Sequence, residues 1–337
     1  MTARLRLSIC VLAATAITVA VPGVGRAAAS GSFVALTYNV AGLPQGISGS
    51  DPQTNSPLIS PKLNAYDLVL LQEDWGDPIP GVPGIFAFHD EIVAEANHRY
   101  RTDPAPPPRG TDLRRFPSGP IYIADGLNQL SRMPFGPIDR QMWSTCFGEL
   151  HGEAAETILS AAGLYEPLEP VIGGVVDGGA ADCSAQKGFS MTRMILGTNA
   201  VVDVYNLHGE AGSGPRDQAA SAADFEQMAD YVLAHSRGHA VIVGGDTNLH
   251  TDAGSANARD RRVWEQFQDA TDVRDVCRAV ACGKDAGVID KFAFRSARGI
   301  TLTPVSHRFE RKRFTRPDGE PLSDHDPLAV RFAWRSG

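Results

Sequence analysis

The chain has 337 residues, 43% hydrophobic and 21% charged, with a formal net charge of −8. These are the values of one large globular domain or two ordinary ones, and they exclude a disordered or fibrous chain. The negative balance repels polyanions at long range. That argues against nonspecific nucleic-acid binding, though not against a nuclease with a locally basic groove or a metal in its site.

The chain opens like an export signal. Arg4 and Arg6 precede a mostly apolar run from Leu7 to Val21, and Ala27-Ala28-Ala29 offers a small-residue cleavage site. The run is short for a bilayer span of about 20 residues, and no later stretch is long and apolar enough to span. Cleavage would remove residues 1–29 and leave 30–337. Arg4, Arg6 and Arg26 go with the signal, taking the net charge from −8 to about −11. Cys10 goes too, and Cys146, Cys183, Cys277 and Cys282 remain. An even number of cysteines in an exported chain points to disulfides. Three pairings exist on paper. Cys146–Cys183 with Cys277–Cys282 is preferred, because the latter two flank a tight Ala-Val-Ala segment. The rival, a metal site, lacks zinc-ligand spacing. Arginine outnumbers lysine, and alanine and glycine abound, a pattern associated with high-GC bacteria. The expected location is secreted, from a bacterium.

Apolar runs rich in β-branched and aromatic residues predict strands over Phe33–Asn39, Asp67–Gln72, Gly119–Ala124, Phe189–Leu196, Ala200–Leu207 and Ala240–Gly244, then over Val288–Phe294, Ile300–Val305 and Leu328–Trp334. Helical spacing of Phe225, Met228, Ala229 and Val232 predicts a helix over Asp217–His235. Further helices are expected over Ala258–Phe267 and Glu153–Ala162. Ile85-Phe86-Ala87-Phe88 reads as a core strand rather than a membrane-inserting hairpin. Arg101–Pro120 holds six prolines and Gly173–Ala181 is Gly- and Ala-rich, so both read as surface excursions. No internal repeat is visible. Polar clusters spread from residue 39 to residue 325, which argues for one domain over 30–337.

Four of those clusters close predicted strands, where a rigid sheet can hold a site. Asn39 ends the first strand and can hydrogen-bond a phosphate oxygen or support a metal ligand. Gln72-Glu73 ends the second. A carboxylate there is costly unless paired or coordinated, and Mg²⁺ wants oxygen donors. Gly244-Gly245-Asp246-Thr247-Asn248 follows a hydrophobic strand. Its glycines allow close backbone approach to a ligand, and Asp246 and Asn248 share one side in extended geometry. Ser323-Asp324-His325-Asp326-Pro327 presents a histidine flanked by carboxylates, suited to a general base, with an adjacent metal ligand. Read singly, each also fits a turn or a solvated strand end. His208 ends another strand as a candidate acid or phosphate contact. Asp290 is placed to orient His325. The other histidines read as ordinary surface or core residues.

The order of Asn39, Gln72-Glu73, His208, Asp246-x-Asn248, Asp290 and Ser323-Asp324-His325 resembles the endonuclease/exonuclease/phosphatase superfamily, which includes deoxyribonuclease I and the neutral sphingomyelinases. The likeness runs from about residue 33 to residue 334. It implies a four-layer α/β/β/α sandwich with two mixed β-sheets packed face to face. It also implies roles: Glu73 and Asp324 as metal residues with Asn39 in support, His325 as the base that activates water, and Asp290 as its partner. Asp246 and His208 would assist the leaving oxygen, and Asn248 and Asn39 would contact phosphate. Asn128, in a segment where relatives begin a Gly-rich strand, is a further phosphate candidate. The implied cofactor is Mg²⁺, with Mn²⁺ or Ca²⁺ as alternatives, and the implied chemistry is direct hydrolysis of a phosphoester.

Gln186-Lys187-Gly188-Phe189 is similar to a segment of sphingomyelinases, although Thr192 stands where that branch usually has alanine. A lipid phosphodiesterase with peripheral membrane contact is therefore the leading expectation. The protein is expected to be a monomer without a stable protein partner. A secreted nuclease using Arg109, Arg114 and Arg115 is the alternative, followed by a sugar or inositol phosphate phosphatase. A non-catalytic binding protein on this scaffold is disfavoured because Glu73 and His325 are both present.

Overall fold

The computed structural model describes residues 29–43, 50–76, 88–106, 122–147, 182–183, 185–198, 200–297 and 299–337. The expected signal segment except Ala29, the helix expected at 153–162, residues 85–87 of the strand expected at 85–88 and most of the Pro-rich excursion lie outside these residues.

Strands β1 (Ser30–Asn39), β2 (Leu68–Gln72), β3 (Tyr100–Arg101) and β4 (Asn128–Ser131) come first, with helices α1 (Pro52–Ile59) and α2 (His89–Val93) between them. Then follow β5 (Asp139–Met142), β6 (Gly188–Gly197), β7 (Ala200–His208), α3 (Pro215–His235), β8 (Ala240–Asp246), α4 (Ala258–Thr271), β9 (Arg274–Asp275), β10 (Asp290–Arg295), β11 (Ile300–Phe309) and β12 (Leu328–Ser336). They form two six-stranded sheets, in the orders β11-β12-β1-β2-β4-β3 and β5-β6-β7-β8-β10-β9. Each sheet is mixed: β1 runs parallel to β2, and β7 parallel to β8, among antiparallel neighbours.

Strand periodicity explains the layering. Phe33, Ala35, Leu68, Leu70, Val202, Val204, Ile242, Phe292 and Phe332 point between the sheets and form one core. Their odd-even neighbours Leu36, Tyr38, Val69 and Leu71 meet Ile59 and Ile92 of α1 and α2. On the other sheet Tyr205, Leu207, Val241 and Val243 meet Phe225, Met228, Val263 and Trp264 of α3 and α4. Strands buried on both faces read as continuous apolar runs, which is why they were visible in the sequence. The result is the expected α/β/β/α sandwich. α3 starts at Pro215, where the Asp217 carboxylate accepts the Gly214 N–H at 2.9 Å. Both preferred disulfides, Cys146–Cys183 and Cys277–Cys282, are formed. No helix among the described residues is long and apolar enough to cross a membrane.

Residues 122–124 of the strand expected at Gly119–Ala124 are irregular, and the strand begins at Asn128 instead. The sequence cue failed because Asp125 and Arg140 hold this approach by an ion pair at 2.7 Å rather than by ladder bonds. β3, β5 and β9 were also not expected. They are edge strands of two to four residues, too short to show a period.

Candidate active site

The inter-sheet face ends in polar residues at one edge of the sandwich. On β7, β8 and β10, His208 lies beside Asp246, and Asp246 beside Asp290, in the strand registers. On the facing sheet Asn39 lies beside Gln72. Each residue continues an inward-pointing row that is apolar further down its strand, so strand parity brings them together.

Asn39 is the junction. Its amide Nδ2 lies 3.0 Å from Glu73 Oε1, 3.2 Å from Asp246 Oδ2 and 3.4 Å from His325 Nε2. Its amide oxygen accepts the Ala41 N–H, so the group presents donors to the site. In this orientation the amide supports the metal candidate Glu73 with a donor, and such donors also suit phosphate oxygens. The Asn39 carbonyl also accepts the Ser323 hydroxyl at 2.7 Å, tying the Ser323–Pro327 segment to β1.

His325 Nδ1 lies 3.1 Å from Asp290 Oδ2, and its Nε2 lies 3.6 Å from Asp246 Oδ2. Burial lowers the affinity of its ring for a proton. The charges of Asp290 and Asp246, the Asp290 hydrogen bond and Asp324 more than reverse this and hold it well above the usual histidine range. His208 Nε2 stands 3.5 Å from Asp246 and 3.8 Å from Glu73. Burial, with Lys187 nearby, holds its pKa well below the ordinary value, so it is neutral. Asn248 does not share an extended strand with Asp246, contrary to the expectation from its spacing. It adopts a left-handed φ of 52°, and its amide reaches the Gly209 carbonyl at 3.0 Å, with Asp246 Oδ2 at 3.5 Å. Glu73 too is left-handed, with φ 55°, an unusual conformation for a non-glycine residue held next to the reacting groups.

Asn128 is not part of this group. On β4 it is Gln129 and Ser131 that point between the sheets, so Asn128 faces the outer layer. There it donates to the Asp74 carbonyl at 2.6 Å and to the Asp74 carboxylate at 3.0 Å. The expected phosphate contact is a structural one. The glycines of Gly244-Gly245 are also explained differently. A Cβ on Gly245 would stand 2.1 Å from the Leu207 carbonyl, and one on Gly244 2.4 Å from the Phe292 ring, so the close approach is between neighbouring strands.

Glu73, Asp246, Asp290 and Asp324 bring four carboxylates together with little positive charge to offset them. Buried Lys187 is already paired with Asp182 at 2.6 Å, and buried Lys291 reaches the Thr251 hydroxyl at 2.9 Å. Burial pushes the Glu73 carboxyl above its ordinary range, with Asn39 and Lys187 offsetting only part of it. An oxygen-rich set with excess negative charge fits a hard divalent cation. Glu73 and Asp324 would hold it. A tight ligand group among the described residues is Asp246, Asp290 and His325, whose ligand atoms lie within 4.8 Å of one another. Asp324 is exposed and borders a cleft of about 350 Å³ with Asp290, His325, His250 and Lys284. The sequence alone did not single out His250 and Lys284, which lie far from the motifs along the chain. Nor did it single out Asn206, whose inward parity on the strand leading to His208 was the available signal.

No protein family model matches the chain. Its fold is found in Staphylococcus aureus beta toxin with bound magnesium ions (14% identity, TM-score 0.53, 89% of this chain and 99% of that one). It is found also in sphingomyelinase C from Streptomyces griseocarneus (17%, TM-score 0.52, 89% and 99%) and in an endonuclease/exonuclease/phosphatase from Beutenbergia cavernae (16%, TM-score 0.52, 91% and 72%). The fold is therefore the one these three proteins share. In sequence, the chain is a homologue of the sphingomyelinases of Mycobacterium bovis and Mycobacterium tuberculosis, 31% identical over 312 residues that cover 90% of this chain and 53% of theirs. It thus spans about half the length of these curated relatives.

Proposed function

We propose that the protein is a secreted, Mg²⁺-dependent phosphodiesterase that cleaves the phosphoester of a sphingomyelin-type lipid headgroup. The observation that carries this reading is the meeting of Asp246 and Asp290 from one sheet with Asn39, Glu73 and His325 from the other. The substrate class rests on the mycobacterial homologues.

Asp290 orients the His325 ring through Nδ1, and a cation at Glu73 and Asp324 would offset the carboxylates that raise the ring's proton affinity, freeing Nε2 to take a proton from water. The Asn39 amide donates to a phosphoryl oxygen and fixes its position. Neutral His208 beside Asp246 stabilises the departing oxygen. Glu73 and Asp324 would hold a divalent cation, which would supply positive charge to the phosphoryl oxygens. Asn248 keeps Asp246 and the Gly209 carbonyl in register. No covalent nucleophile is used.

The test offers purified protein sphingomyelin liposomes, supercoiled plasmid and inositol phosphates, each with Mg²⁺ and then with EDTA. Sphingomyelin turnover abolished by EDTA is expected. Turnover indifferent to EDTA would sink the metal role, and plasmid nicking without lipid turnover would move the protein to the nuclease branch.

A further inference from the structure

A second group of oxygens is buried away from the catalytic residues, where the first half of α3 faces the loop leaving β7. Asp217, Ser221 and Asp224 lie four and seven residues apart on one face of α3, and Glu210 follows β7 by two residues. All four are buried, Asp224 completely. Among the described residues, Glu210 Oε2, Asp217 Oδ1, Ser221 Oγ and both carboxyl oxygens of Asp224 have no hydrogen-bond partner. Buried carboxyl groups are normally paired or hydrogen-bonded.

The neighbourhood does not neutralise them. Lys187 is the lysine whose charge acts on Glu210 and Asp224, and its Nζ is committed to Asp182 at 2.6 Å and to the Gly209 carbonyl at 3.3 Å. Burial, reinforced by neighbouring carboxylates, pushes the Asp224 carboxyl up to about 9 and the Glu210 carboxyl to about 8. Protonation alone does not resolve the arrangement, because an acid O–H still needs an acceptor, and the described residues offer the Asp224 oxygens none. Unpartnered Ser221, a neutral oxygen on the same face, marks the same space as wanting a ligand.

We propose that Glu210, Asp217, Ser221 and Asp224 form a binding site for a hard divalent cation of the calcium class, distinct from the catalytic carboxylates. The donors are all oxygen, as such ions require. They stand wider apart than the Asp246–Asp290–His325 group, whose ligand atoms lie within 4.8 Å of one another, so water completes the coordination. The ion ties α3 to the loop after His208. In that loop the Gly209 carbonyl accepts hydrogen bonds from Asn248 and Lys187.

The test compares Glu73→Gln protein, which lacks a carboxylate of the catalytic site, with the same protein carrying Asp224→Asn. Both are stripped with EDTA, dialysed, and titrated with Ca²⁺ or with Mg²⁺. The parent should gain about 5 °C or more in Tm at saturating ion. The Asp224→Asn protein should lose that gain and bind one ion fewer per chain in equilibrium dialysis. Equal ion counts and equal Tm gains in the two proteins overturn the proposal. Ser221→Ala, which removes only a neutral ligand, guards against misfolding. It should raise the half-saturating ion concentration several-fold, and an unchanged value also overturns the site. None of these readouts depends on the hydrolase reading.

Discussion

Replacing Asn206 with alanine tests how the two halves of the site are held together. Asn206 accepts the Gln72 amide at 2.6 Å and donates to the Leu71 carbonyl at 2.8 Å and the Asn128 carbonyl at 3.1 Å. These bonds cross from one sheet to the other inside the core, immediately below Glu73 and His208. Gln72 retains Thr37 and the Leu70 carbonyl, so it is not stranded. The two carbonyls lose a buried donor. Three hydrogen bonds at about 1 kcal/mol each, with a small cavity, give a loss of about 3–4 kcal/mol. In a chain of this size that corresponds to about 6–12 °C in Tm. Urea denaturation should show a lower midpoint with an unchanged m-value, since the surface exposed on unfolding is the same. Turnover should fall as well, because Glu73 and His208 each lie within two residues of the broken bridge. A stability loss below about 1 kcal/mol with full activity would refute the reasoning, and would mean that the apolar rows alone fix the sheets.

Other substitutions probe separate links. His325→Ala should cut turnover by at least about 10²-fold with the unfolding midpoint near that of the parent, read by steady-state kinetics beside circular dichroism. Gly245→Ala should destabilise by about 2 kcal/mol or more, because φ is 155° and the added methyl meets the Leu207 carbonyl; a neutral effect in denaturant would contradict that packing. The Asp203 carboxyl is raised by burial but lowered further by hydrogen bonds from Arg193, Ser236 and His239, for a net depression. A depressed carboxyl contributes stability that is present above its unfolded pKa and lost as pH falls through the folded one. The destabilisation by Asp203→Asn should thus be full near neutrality and shrink below about pH 4; a pH-independent difference would count against it. Removing Cys146–Cys183, which closes 37 residues, should cost about 4 kcal/mol, against about 2 kcal/mol for the 5-residue loop of Cys277–Cys282. Equal midpoints for the two double-serine variants would show that loop entropy does not govern the stabilisation.

Much of the architecture was legible in the chain because its central strands are buried on both sides. Phe33–Asn39 and Ala240–Gly244 are largely apolar runs, so their existence needed no tertiary information. The polar residues at or just past the ends of these runs, Asn39, Glu73, His208 and Asp246, were legible for the same reason, since a polar group at the end of a buried strand must have a purpose or a partner. What the sequence could not determine was which face each residue takes and what lies opposite. Asn128 and Gln129 are adjacent amides in one strand, yet only the register of β4 against β2 turns Gln129 inward to Thr192 and Asn128 outward to Asp74. The Asn39 amide turns its N–H donors toward the site because its oxygen accepts the Ala41 N–H. Asn248 reached Asp246 through a left-handed turn that no spacing rule encodes. Asp217, Ser221 and Asp224 looked like the polar side of an ordinary helix until packing against the loop after His208 buried them. Local pattern determines which segments are strands and helices, because it depends on near neighbours along the chain. The chemistry of each polar group depends on contacts between distant positions, 286 apart for Asn39 and His325, and only the packed sheets decide those.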